Sequence, residues 1–422
     1  MALKIDGTDI VYADHMNNLD PLSLASCVFP TGFTSTRIQN AIDSIPSTGG
    51  KIVLRPGQYS IGTTVQMKSG IELIGSSSKR NGGSWFKLND GVNGDIISSS
   101  SSADLTYGTI RNVFLDGNSA NNTSGDGIHL YRSQVCWIQN VHIRDVARHG
   151  IYLDGAVANI GYHNFIESNG LFSVGSFAIV CGKYNEANLV RGNHVDGAAI
   201  GIHLTSALNS IVGNKITTCT RFGIQSISYP DNANQFIGNV LDKIQQHGIQ
   251  INYQNAIVIG NFLYRVGRTA DGVYDAIDCA GSTVASVIVG NHMGDNPTDP
   301  NRIRYGVRLR SGNSGCIVTG NIARNYVTAA ILGTSSASNT IRDNTNYMTQ
   351  SGGDSSISHG TTISHGLATT PSRIVLISQS ASPRITSVKS KSASTFTVGL
   401  WNTAGSALTG SGTTRAFWYA EV

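Results

Sequence analysis

Charge is scarce in this chain of 422 residues: Asp, Glu, Lys and Arg together make up 13%. The formal net charge of +4 includes no basic run, which argues against nucleic-acid binding by a charged face. Coiled coils and disordered segments are argued against by the same composition. Cysteine occurs 6 times, at positions 27, 136, 181, 219, 279 and 316, with no Cys-x-x-Cys pair. Paired zinc ligands and a disulfide framework are therefore not expected, and Cys181 and Cys279, on inward strand positions, read as core thiols. No apolar run is long enough to span a bilayer. No signal-peptide pattern follows Met1, so the expectation is synthesis in the cytoplasm and exit, if any, by lysis or assembly. A P-loop and a His-Glu-x-x-His motif are missing too, which leaves nucleotide and zinc chemistry without a carrier.

Glycine, by contrast, occurs 48 times, and hydrophobic residues reach 40%, enough for a large core across more than one domain. From Asn188 to Asn344 one phrase keeps returning. Its first half is an apolar residue followed by Gly-Asn or a relative: Gly192-Asn193, Gly213-Asn214, Gly238-Asn239, Gly260-Asn261, Gly290-Asn291, Gly320-Asn321, Asp343-Asn344. Asn112, Asn140 and Asn164 extend the same column backwards, at spacings of 21 to 30 residues. Its second half is a short alternating strand, seen in Gly127-Ile128-His129-Leu130, Gly150-Ile151-Tyr152-Leu153, Gly201-Ile202-His203-Leu204 and Gly248-Ile249-Gln250-Ile251. A repeat of this size, with period-two strands, Gly/Asn corners and no 3.6-residue stripes, predicts a parallel β-helix of about ten coils. Inward Ile, Val and Leu would then stack one rung, about 4.8 Å, apart. Gly and Asn tolerate the left-handed corners, and stacked asparagines can hydrogen-bond along the axis.

Ile38, Ala41, Ile42 and Ile45 lie on one helical face after the N-cap hydroxyls of Thr34 to Thr36, and Pro46 stops the run. Such a helix would plug the open end of the solenoid. Gly49-Gly50-Lys51-Ile52-Val53-Leu54-Arg55-Pro56-Gly57-Gln58-Tyr59 follows, then Gly70-Ile71-Glu72-Leu73-Ile74-Gly75. In this order the segments resemble the opening of the pectate-lyase-like superfamily, in the branch shared with phage tailspikes and some epimerases. The resemblance spans roughly residues 33–345 and implies an all-β, right-handed parallel β-helix with a capping helix. Residues 76–108, rich in Ser and Gly, read as a loop excursion with a few strands, and Val113-Phe114-Leu115-Asp116-Gly117-Asn118 resumes the coils. The expected domains are a lead-in at 1–32, the β-helix at 33–348, a linker at 349–360 and a small antiparallel β-sandwich at 361–422. His365-Gly366-Leu367 and Trp418-Tyr419-Ala420 resemble C-terminal modules of trimeric viral fibres, which implies a homotrimer or carbohydrate binding. Asp9 to Leu19 resembles the lead-in of phage tail proteins, which implies a virion component acting extracellularly.

The resemblance also implies a groove beside the Gly-Ile-x-Leu sheet. Asp126 and His149 match positions of catalytic residues in polygalacturonase-like members, but the Asp-Asp pair of those enzymes is missing. Two polar patches are expected on that sheet, about 20–25 Å apart at one rung each. One holds Asp126, His149 and Tyr152, with His129, Tyr131 and Asp154 beside them. The other aligns His247, Asp275 and Tyr305 with Gln250, Asp278 and Arg308, then Asn252 and Arg310; His203 lies between the patches. Surplus residues at 265–274 and 294–304 would wall the second patch and add Tyr264, Arg265, Arg268 and Arg304. Arginines suit the carboxylate of an acidic sugar, and with a His or Tyr base they point to β-elimination on a uronate-containing polysaccharide. Asp275 with Asp278 would instead suit a glycoside hydrolase. A fibre that holds glycan without cutting it is the third reading. Each residue also has a plain structural role open to it: Asp278 with Arg308 as a cross-strand ion pair, Asp126 as a turn residue, His149 and His247 as corner residues. No cofactor is expected; Ca2+ is left open without a motif, Asp295 and Asp299 being its weak candidates.

Overall fold

A computed structural model describes residues 3–5, 8–10, 27–155, 161–227, 233–281, 283–294, 302–333, 338–347, 350–365, 367, 369–379, 385–401, 404–407 and 414–421. Three long parallel sheets wind about one axis, with thirteen, eleven and eleven strands. One coil shows the plan: Thr109–Arg111 in the first sheet, Val113–Asp116 in the second, Ile128–Tyr131 in the third. The pairings between coils are parallel, and in the third sheet Ile128 faces Ile151, then Ile179, Ile202, Ile224, Ile249, Ile277 and Val307. All of these are buried in one continuous core. The expected ten coils are exceeded because the few strands expected within 76–108 are rungs of the solenoid. Ser84–Leu88 and Ile97–Ser99 join the second and third sheets and add rungs.

The corner after the first sheet explains the Gly-Asn phrase, and corrects its register. Gly192, Gly213, Gly238, Gly260, Gly290 and Gly320 all have φ near +60°, and Asn112, Asn140, Ser168 and Asp343 hold the same left-handed place on other coils. Asn112 and Asn140 therefore belong to the glycine column. The buried asparagine column starts at Asn169 and runs through Asn193, Asn214, Asn239, Asn261, Asn291 and Asn321 to Asn344. Each interior Nδ2 donates to the next Oδ1 at 2.9–3.0 Å and to a main-chain carbonyl. Each Oδ1 also accepts the previous asparagine's backbone N–H, so the corner leaves no buried polar group idle. Asn164 heads a separate ladder with Asn188, Asn209 and Asn234.

The helix α1 (Ser35–Ser44) covers the first rung with Ile38, Ala41 and Ile42 buried, and Thr34 caps it. Lys68 closes the other end by donating Nζ to the carbonyls of Ile42 and Ile45. All six cysteines are free, and five are buried.

Beyond the coils, two three-stranded antiparallel sheets enclose a second core of Ile357, Ile363, Phe396, Val398, Leu400 and Trp418. The expected linker is a correction here: Gln350–Ile357 is a strand that pairs with Thr414–Glu421 along its whole length. Its small polar residues disguised it. At the other end, Leu3–Ile5 and Thr8–Ile10 form a short antiparallel pair, and most of the lead-in phrase lies outside the described residues.

Candidate functional site: two charged patches on one sheet face

The third sheet turns the middle residue of Gly-Ile-x-Leu outward. One outward column reads Ser98, His129, Tyr152, Val180, His203, Gln225, Gln250, Asp278, Arg308. The position before each Gly-Ile forms a second column, in which Asp126 is followed by His149 and, further on, His247 by Asp275 and Tyr305. The two patches lie on this face, four rungs or roughly 19 Å apart from His149 to His247 at one strand spacing each.

The first patch centres on His129. Its Nδ1 is 3.3 Å from Asp126 Oδ2 and 3.4 Å from Asp95 Oδ2, and its Nε2 is 3.9 Å from Asp154 Oδ2. These approaches are long for hydrogen bonds, and neither ring nitrogen has a partner of good geometry. The ring is clamped between Tyr131 and Tyr152, with centroids 3.9 and 4.5 Å away. Burial opposes a charge on His129, yet Asp154 and Asp95 outweigh it and raise its pKa. Asp95 is held low: burial would raise it, but His129 and the Asp126 backbone N–H prevail. Burial and the nearby carboxylates push Tyr152 up to about 12. Asp126 is fully buried and gripped on both oxygens by Arg148, at 2.8 and 2.5 Å, with His149 donating its backbone N–H. Asp95 and Asp154 are 19% and 25% exposed, so these two carboxylates can meet a substrate.

The second patch has the opposite character. Asp275 takes Arg304 on both oxygens at 2.9 and 2.8 Å. Asp278 takes Arg310 at 2.9 and 2.6 Å, and Gln250 at 3.1 Å. Both aspartates are fully buried, so neither reaches a substrate, and the pairing of Asp278 with Arg308 gives way to Arg310. Arg308 instead approaches Asp275 at 3.6 Å. Tyr305 lies beneath the Arg304 guanidinium, and Asn252 sits just past the strand Ile249–Ile251. Tyr264 and Arg265 do not wall this patch. They belong to the strand Phe262–Val266 of the second sheet, where Arg265 grips Asp242. The lengths of these coils suggested a loop where the strand in fact continues. Asp295 and Asp299 lie outside the described residues.

His149 and His247 occupy equivalent corners. His149 Nδ1 accepts the backbone N–H of Phe177 at 3.4 Å, and His247 Nδ1 that of Asp275 at 3.0 Å. An accepting Nδ1 places the proton of the neutral ring on Nε2, so neither ring offers a free lone pair. Burial lowers both pKa values and keeps them neutral. The structure thus gives both histidines a corner role and leaves the second patch without the His base that β-elimination was expected to use.

Asp95, Asp126 and His129 bring possible ligand atoms within 4.8 Å of one another, as do His247, Asp275 and Asp278. In both sets, however, guanidiniums already occupy the buried carboxylates. Calcium needs about six to eight oxygens, so these residues do not fit it.

Sequence reasoning missed Asp95 and Arg148. Gly94-Asp95-Ile96-Ile97 echoes Gly125-Asp126-Gly127-Ile128, but the reading of 76–108 as a loop hid it. Arg148 and Arg304 share a pattern, each grasping the aspartate one coil back from the position before the column.

The fold defines a class, the right-handed parallel β-helix. Residues 96–263 match the family model of the right-handed beta helix region. Among solved structures, the Dettilon tailspike protein superposes with a TM-score of 0.60 at 14% identity, over 94% of this chain and 95% of that one. The tailspike protein of E. coli bacteriophage HK620 gives 0.53 at 12%, over 93% and 90%. The A-module of the Azotobacter vinelandii mannuronan C-5 epimerase AlgE6 gives 0.58 at 17%, over 74% and 94%. At these identities the likeness shows the fold. No curated protein matches the chain.

Proposed function

We propose that the protein is a tailspike-type depolymerase of an anionic polysaccharide and that it cuts glycosidic bonds at the first patch. The observation that carries this reading is the pair of partly exposed carboxylates, Asp95 and Asp154, on opposite edges of the His129 ring. Two carboxyl groups flanking a bond are what glycoside hydrolysis requires. Asp95, held ionised, takes a proton from the attacking water. The proton that His129 carries beside Asp154 passes to the departing glycosidic oxygen as its bond to the anomeric carbon breaks and the water oxygen bonds to that carbon. Tyr131 and Tyr152 fix the ring, and Arg148 anchors Asp126 behind it.

The tailspike proteins, which align along nearly their whole length, support a virion-borne role outside the cell, and the homotrimer reading comes from the C-terminal sheets alone. The epimerase relative, by its name, works on a uronate polymer, which supports an acidic substrate. The three arginines of the second patch favour β-elimination there as a second reading, with Tyr305 rather than a histidine as the candidate base.

A panel of uronate-containing polysaccharides separates the readings. Hydrolysis yields new reducing ends without ultraviolet absorbance, β-elimination yields unsaturated ends that absorb, and binding without product identifies a non-catalytic fibre. Asp95→Asn and Asp154→Asn should each lower kcat by about 10²–10⁴-fold. Full turnover in both variants refutes the site.

A further inference from the structure

The second patch carries more positive charge than its own structure uses. Arg304 and Arg310 each saturate one buried aspartate, so three guanidiniums face two carboxylates. The surplus falls on Arg308. Its one ion contact among the described residues is the 3.6 Å approach to Asp275, whose oxygens Arg304 already holds. Its Nε is buried without a hydrogen-bond partner, while a quarter of the side chain stays open to solvent. A buried donor on a fixed cation, beside an open face, is an arrangement that an oxyanion completes. Nearby groups do not cancel it: His247 stays neutral, and Gln250 is turned on Asp278.

The position of Arg308 connects it to the first patch. It lies on the same outward column as His129, seven rungs or roughly 34 Å away at one strand spacing each. The floor between them is continuous. Ring contacts run from His129 to Tyr152, His149, Phe177 and His203, with centroids 4.5–5.4 Å apart. Gln225 then donates to Gln250, and Gln250 to Asp278. The rings stack on one another and leave their edges, with the amides, along this face, so the track offers an extended glycan apolar edges and hydrogen-bonding groups.

We infer that Arg308, with Arg304 and Arg310 beside it, is a distal anion subsite that takes a carboxylate or sulfate of the same polysaccharide, several sugars from the bond that is cut. The inference rests on the proposed function for the direction of the chain, but its test does not. The acidic first patch repels an anionic sugar, so the charged substituent is read at the basic end and the bond is cut at the other.

Calorimetric titration of the full-length protein with a long oligogalacturonide, a sulfated dextran oligosaccharide and a neutral dextran oligosaccharide tests it. The wild type should bind at least one charged probe ten or more times tighter than the neutral one, and the better probe tells carboxylate from sulfate. Arg308→Gln should erase that preference and leave affinity for the neutral probe as the internal control. Arg308→Lys, which keeps the charge, should retain most of it. No charge preference in the wild type, or one that survives Arg308→Gln, overturns the subsite. Undiminished cleavage by Asp95→Asn and Asp154→Asn would refute the cleavage centre while leaving this binding result to stand or fall by itself.

Discussion

Arg148 and Asp126 meet on unequal terms. The aspartate is fully buried and the arginine is about half exposed, at 47%. Removing the cation strands a buried charge, whereas removing the carboxylate frees a guanidinium that water can still reach. Arg148→Gln should therefore cost about 3 kcal/mol in denaturant unfolding, and Asp126→Asn only about 1–2 kcal/mol. Equal costs would contradict the asymmetry. The histidines make a second prediction. Burial drives His203 from the ordinary 6.5 down to about 4, so the folded chain refuses a proton that the unfolded chain accepts. Stability present above pH 6.5 is then lost as pH falls toward 4, by roughly 3 kcal/mol for this one group. His149 and His247 act in the same direction. His129, with a raised pKa, acts oppositely, its contribution fading as pH rises through its folded value. Thermal melts of His203→Gln should fall less steeply than wild type between pH 6.5 and 4.

Among the elements, the asparagine ladder is the one whose failure would spread. Asn239 accepts the backbone N–H and the side-chain amide of Asn214, and donates to Ile211 and Asn261. Truncation to Ala leaves buried groups unpaired on the two neighbouring coils, whereas Asn344 closes the ladder and is slightly less buried, at 7%. Asn239→Ala should cost about 3 kcal/mol and Asn344→Ala about half of that, read from denaturant midpoints. The glycine beside Asn239 has a separate job. Gly238 has φ +61° and nothing within 4 Å of an added Cβ, so backbone conformation is its only constraint. Gly238→Asn should be nearly neutral, and Gly238→Ala should cost about 1 kcal/mol. The Gly-Asn phrase was legible as a corner in the sequence. Its division into a left-handed column and a bonded column was not, because Asn112 and Asn140 can occupy either.

For the whole molecule, the trimer reading rests on the C-terminal sheets, whose core is separate from that of the coils. Light scattering should report three copies for the full chain and one for a chain ending at Tyr347; a monomeric full chain would end that reading. By itself the sequence determined the solenoid, the inward Ile column and the capping helix. Those follow from period-two patterning and a repeat length, both local properties that survive without knowledge of contacts. Only the tertiary structure decided which charges are spent and which are available. Asp275 and Asp278 looked like catalytic acids and His247 like a base until Arg304, Arg310 and a backbone N–H were seen to occupy them. Asp95, unnoticed in a Ser-rich stretch, proved to be a partly exposed carboxylate beside His129. The physical reason is that a strand pattern sets which way a side chain points, whereas its charge state and freedom depend on neighbours two dozen residues away in sequence and one rung away in space.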